Sequence, residues 1–143
     1  MPDLRIAPIA ALTLAAALLP APALAAPSVL VATLAGAGET KGGDPDGAAH
    51  FTVELDPATN DFCYALWTEK VGKPTMAHLH EGVAGADGPV LFAIEVTGKA
   101  NDMCIAIDQA KLEPIVAKPE TYYVNVHTAD FPAGAVRGQL GKK

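Results

Sequence analysis

The chain has 143 residues, half of them hydrophobic, and a formal net charge of −6, which is the length of one domain with apolar content for a modest core. With 10 lysines and arginines against 16 aspartates and glutamates, it lacks the basic footprint of a nucleic-acid binder or of a protein held on anionic lipid. Its two cysteines, Cys63 and Cys104, do not have CxxC spacing and leave two readings open, a disulfide or a pair of thiolate ligands.

The amino terminus reads as a secretory leader over residues 1–25. Arg5 opens it, an apolar run follows from Ile6 to Leu19, and Ala23-Leu24-Ala25 supplies the small-x-small pattern for cleavage after Ala25. Pro8 and Pro20 break a run that is already short for a bilayer, so no stable membrane insertion is expected after cleavage. The expected product is one periplasmic or secreted domain over 26–143, about 118 residues. Its charge is unchanged, because Asp3 leaves together with Arg5. An oxidising compartment favours the disulfide reading of Cys63 and Cys104. The bridge would close a loop of about 42 residues, worth roughly 4 kcal/mol in a chain-entropy model.

Short alternating segments follow, punctuated by glycine and proline. Residues 28–34 are a first strand candidate, and 35–47 (AGAGETKGGDPDG) a loop dense in turn formers. Residues 48–55 alternate cleanly, with Phe51, Val53 and Leu55 on one face and His50, Thr52 and Glu54 on the other. DPATND reads as a hairpin turn that returns through a strand at 62–68. Strands are expected at 76–80 and 90–96, separated by the loop EGVAGADGP, and a short helix at 105–117, limited by Pro114. Residues 122–127 form a strand by propensity, ADFPAG turns it, and 135–140 closes the fold. Six to eight short strands of this kind predict an all-β domain, an Ig-like or Greek-key β-sandwich or barrel with one short helix.

The four histidines carry the chemistry. His78 and His80 flank Leu79, so both leave one face of a strand while Leu79 enters the core, with Cα atoms about 7 Å apart. His127 shares a face with Asn125 and Tyr123, opposite Val124 and Val126, and His50 lies opposite Phe51 and Val53. All four therefore stand on the side of a strand away from the core, where one copper or zinc ion at about 2 Å from each nitrogen could gather them. The competing reading is four scattered surface histidines. Arg137, the one arginine left after the leader, falls opposite Asn125 if 127–135 is a hairpin. There it would serve as a fixed cation for a small anion, or as a strand residue paired with a carboxylate. Glu81 is a candidate acceptor for an imidazole N–H, with a solvent-facing role as the alternative. Asp44, Asp46 and Asp87 lie in glycine-rich loops without a calcium-loop spacing and read as turn formers.

AHLHEGVAGADGPV, then a cysteine, then YYVNVHTADFPAGAVRGQL, together with LAGAGET and GDPDGAAHFTVELDPATNDFCY, resembles the CHRD domain family over nearly the whole chain after the leader. That resemblance implies an extracytoplasmic β-sandwich and no particular activity. Locally, His78-Leu79-His80-Glu81 is similar to the copper-binding strand of copper/zinc superoxide dismutases, and His127 matches their late-strand copper ligand. The likeness implies one copper ion, held by His78, His80 and His127 with His50 as a fourth nitrogen, and alternate reduction and reoxidation of that ion by superoxide. It also implies Arg137 as the catalytic residue that positions the anion. No histidine lies between His80 and His127, so no zinc site is expected. The non-enzymatic alternatives are copper storage or delivery, to which Met76 could add a thioether ligand, and an adhesive binding module. Neither a nucleophile elbow nor a phosphate-cradling loop is present.

Overall fold

A computed structural model describes residues 26–96 and 103–143; the leader expected over 1–25 lies outside the described residues. The strands are β1 (Ser28–Ala35), β2 (Ala48–Asp56), β3 (Asp61–Glu69), β4 (Pro74–Glu81), β5 (Val90–Ile94), β6 (Met103–Ala106), β7 (Tyr122–Thr128), β8 (Val136–Gln139) and β9 (Gly141–Lys142). One α-helix, α1 (Gln109–Ala117), stands between β6 and β7. Every strand pair is antiparallel, and the order across the sheet is β5-β4-β7-β8-β1-β2-β3-β6, with β9 beside β1.

Period-two alternation builds the core. Leu30 and Leu34 from β1, Phe51, Val53 and Leu55 from β2, and Phe62, Tyr64 and Leu66 from β3 all turn inward, because one pleat face must be buried and the other need not be. The sheet is continuous, and its ends roll over this core. Phe62 on β3 meets Phe92 on β5 edge to face at 4.8 Å, and the Glu95 N–H donates to the Tyr64 hydroxyl at 2.9 Å. These contacts join strands near opposite ends of the sheet order, so the sheet curls into a half-barrel. The all-β class with a single short helix is thus the one adopted among the described residues.

Most strands fall within two residues of their expected ends, and 56–61 is the tight turn expected there, with Asn60 in the left-handed region at φ 65°. The helix differs. It begins at Gln109 rather than at 105, because Asp108 caps it by accepting from the Ala110 N–H at 2.8 Å. The residues before it, Met103–Ala106, pair with β3 instead. That pairing sets Cys104 directly opposite Cys63, with Cα atoms 4.0 Å apart, and the two form a disulfide. The thiolate-pair reading is thereby excluded. The bridge fastens a four-residue edge strand that pairs with β3 alone. The Cys63→Ala/Cys104→Ala variant is expected to lose about 2–4 kcal/mol of unfolding free energy, read as a lower urea midpoint, and reductant should bring the wild type to the same midpoint.

Candidate metal centre

β4 and β7 lie side by side, with Ala77 opposite Val126 and Leu79 opposite Val124. These four side chains are buried in the core, which sends their neighbours to the other face. Met76, His78 and His80 on β4 therefore face the same way as His127, Asn125 and Tyr123 on β7, in the register Met76↔His127, His78↔Asn125 and His80↔Tyr123. On β8, Arg137 continues the row beside Asn125. Along β7 this outer face is closed to water, every residue of the strand being buried, with residues 39–41 and 87–88 lying over it; on β4, Met76 remains exposed.

The histidines of this face converge. His78, His80 and His127 each offer a ring nitrogen, and the three nitrogens lie within 4.8 Å of one another. Two of the rings are held by backbone carbonyls. His127 Nδ1–H donates to the Pro132 carbonyl at 3.0 Å and His80 Nδ1–H to the Gly88 carbonyl at 2.9 Å, which leaves Nε2 of each ring with its lone pair. His127 Nε2 lies 3.1 Å from His78 Nδ1, so a single proton bridges that pair. His80 Nε2 lies 3.1 Å from the Asn125 side-chain oxygen; with Nδ1–H given to Gly88, its lone pair is met only when the Asn125 amide is turned to present its NH2 group. Burial, and then the proximity of His127 and His80, push the His78 pKa below its ordinary value, which favours a neutral ring able to act as a ligand. An acceptor for the far N–H of a ligating imidazole is the usual support of a metal site, and three imidazoles without a carboxylate or thiolate suit copper or zinc.

His50 is not part of this cluster. It stands exposed on β2, between Thr33 of β1 and Trp67 of β3, and β8 and β1 separate it from β7. Three strand spacings amount to about 14 Å along the sheet. Its parity matches the expectation; the strand order does not bring it to the other three. Glu81 is exposed. Asp44 is buried and accepts from the Asp46 N–H at 3.4 Å, a turn role.

Arg137 is 4% exposed. Its guanidinium donates to the carbonyls of Val83 (3.3 Å) and Ala86, pairs with Asp87 at 3.3 Å, and lies 3.4 Å over the centre of the Tyr123 ring. Asp87 is thus more than a turn former. It also accepts from the Thr40 hydroxyl at 2.7 Å and pairs with Lys41 at 3.5 Å; the Thr40 bond above all holds its carboxyl below the usual range.

A cavity of about 200 Å³ adjoins the cluster, with His80, His127, Asn125, Arg137 and Glu39 in its walls. Glu39 is the next-to-last residue of the LAGAGET stretch, and its place there is the only sign in the sequence of a role at the site. Its Oε1 is buried without a hydrogen-bond partner, and its carboxyl lies against Gly134, where a Cβ would collide with it. Burial raises its pKa to about 7, against the pull of Arg137, with Asp87 adding to the rise.

A family model for the CHRD domain matches residues 30–140. The chain belongs to the CHRD domain family. Neither a curated protein nor a solved structure matches it. In this CHRD domain the matched span carries all of the cluster, the disulfide and Arg137.

The Glu39 shift has a direct consequence for stability. A carboxyl whose folded pKa lies above its unfolded value binds its proton more tightly in the folded state, so its contribution is present below about pH 4.5 and is lost as pH rises through about 7. Glu39→Gln should therefore match the metal-free wild type at pH 4.5 and exceed it at pH 8. Urea unfolding at the two pH values checks this; an equal difference at both would refute it.

Proposed function

We propose that this CHRD domain binds one copper ion through His78 Nδ1, His80 Nε2 and His127 Nε2, in an oxidising compartment outside the cytoplasm. The observation that carries the reading is the pair of backbone carbonyls, Gly88 and Pro132, which fix two of the three imidazoles with Nε2 turned to the cluster. Scattered surface histidines have no need of such support. The donor set fits the ion, since three imidazole nitrogens meet within the span a single metal requires. For His78 Nδ1 to serve as a ligand, the proton it shares with His127 would move to His78 Nε2, which leaves both rings neutral. The disulfide agrees with an oxidising compartment, and the leader read at residues 1–25 supplies export.

Superoxide dismutation is the reaction this site would support. Bound copper supplies one-electron redox chemistry. The chain supplies a small cavity reaching His80 and His127, whose size suits a diatomic anion better than a larger substrate. The non-enzymatic reading, copper storage or delivery, draws on Met76, which stands half-exposed directly across from His127 and offers a soft ligand at the rim.

Titration of the protein from residue 26 with Cu(II) should reach one ion per chain, with an electron paramagnetic resonance signal split by imidazole nitrogen. His78→Ala/His80→Ala should abolish that signal, and His50→Ala should leave it unchanged. No stoichiometric binding by the wild type would overturn the proposal. In the loaded protein, superoxide consumption faster than by an equal concentration of free copper marks a dismutase; its absence with copper still bound marks a carrier.

A further inference from the structure

The segment joining β4 to β5, residues 82–89, contributes no side chain to the core, yet it carries the carbonyl that holds His80. Its path is set by a few polar contacts. The Gly82 N–H donates to the Thr121 carbonyl at 2.7 Å, and the Glu81 N–H donates to the Pro89 carbonyl at 3.2 Å. The Gly88 N–H donates to the Tyr123 hydroxyl at 3.2 Å. At Gly88 the chain passes so close to the Glu81 carbonyl that a Cβ would overlap it, so only glycine allows the loop to return to His80. Gln139 donates to the Gly82 carbonyl at 2.9 Å, and Thr40 and Lys41 hold Asp87 from outside, but Arg137 alone takes three residues of the loop, its guanidinium binding Val83, Ala86 and Asp87 together.

Arg137 reaches His80 by a second route. The Tyr123 ring lies under the guanidinium at 3.4 Å and stacks on the His80 imidazole at 4.6 Å, with only 7° between the planes. One buried side chain therefore governs both the carbonyl in line with His80 Nδ1 and the plane against which the His80 ring lies.

We propose that Arg137 is a positioning residue for His80: by clamping the 82–89 loop and pressing on Tyr123, it fixes the Nδ1–H···Gly88 bond and thereby aims Nε2 at the cluster. Its donors face carbonyls and a carboxylate of the chain, so its part in the site is exerted through the loop rather than by contact with an incoming anion. The proposal rests on His80 being a metal ligand for its importance, but not for its geometry.

Lysine in place of arginine separates the two roles. It keeps the charge, while a single ammonium cannot reproduce the planar fork across three acceptors or the stacking on Tyr123. In metal-free protein, the His80 Nδ1–H signal in nitrogen-resolved magnetic resonance should exchange slowly with water. In Arg137→Lys the exchange should accelerate at least about tenfold, and Cu(II) affinity should fall about 10–100-fold, with altered hyperfine splitting. If Arg137→Lys does not fold, Asp87→Ala, at an exposed loop position, carries the test: exchange should accelerate there too, by a smaller factor. Lys41→Ala, which removes only the outer ion pair, should change neither quantity. Unchanged exchange in the folded Arg137→Lys protein, or in Asp87→Ala where the lysine variant does not fold, would overturn the proposal. A wild type that binds no copper would overturn the proposed function while leaving the exchange measurement to judge Arg137.

Discussion

Leu79 and Val124 face each other in the core across β4 and β7, and that apolar pair governs what stands behind it. A slip of one residue would turn His78 and His80 into the core and put Leu79 outside, exchanging the whole apolar set for imidazoles. The cost of burying unpaired polar rings makes the register steep, so the three histidines inherit their alignment from hydrophobic packing. The chemistry of the outer face is in this sense set from the inner one. It needs no further force than burial to bring Nδ1 of one strand's histidine to within 3.1 Å of its neighbour's Nε2.

Alternation along single strands was legible from the residues, and it placed four histidines, Arg137 and Asn125 on the outer face. What alternation does not encode is the order of strands in the sheet. His50 illustrates this: its parity is right, but β1 and β8 stand between it and the cluster, and lateral order depends on long-range pairing that no local pattern states. The hairpin that joins β7 to β8 is local, and it brought Arg137 to Asn125 as its turn residues implied. A helix start at 105 lies four residues too early because IAID fits either period over so short a window. The choice was decided by the free edge of β3 and by the cysteine opposite Cys63.

The cover of the site was less legible than its floor. Glycine-rich loops announce turns, but the direction in which their carbonyls point follows from backbone torsions fixed only in the folded chain. Gly88 and Pro132 act through main-chain oxygens, which every residue type possesses, so their side chains carry no signal. Glu39 is a related case. A glutamate between glycine and threonine reads as an exposed loop residue, yet it lies folded onto Gly134 with a buried, unpaired oxygen. Its neighbours in space, Asp87, Gly134 and Arg137, come from two other loops and β8.

The disulfide bears on how such a molecule is assembled. Thiolates are soft ligands and hold monovalent copper more tightly than imidazoles do, so a reduced chain would present two centres competing for one ion. Cys63 and Cys104 are the chain's only cysteines, and their union in a cross-strand bridge at the far side of the sheet from β4 and β7 removes the competitor altogether. If the cluster takes the proposed copper ion, maturation has a preferred sequence: sulfur oxidation first and metal loading second. A chain that met copper before an oxidant would be at risk of trapping the ion at the wrong end of the sheet.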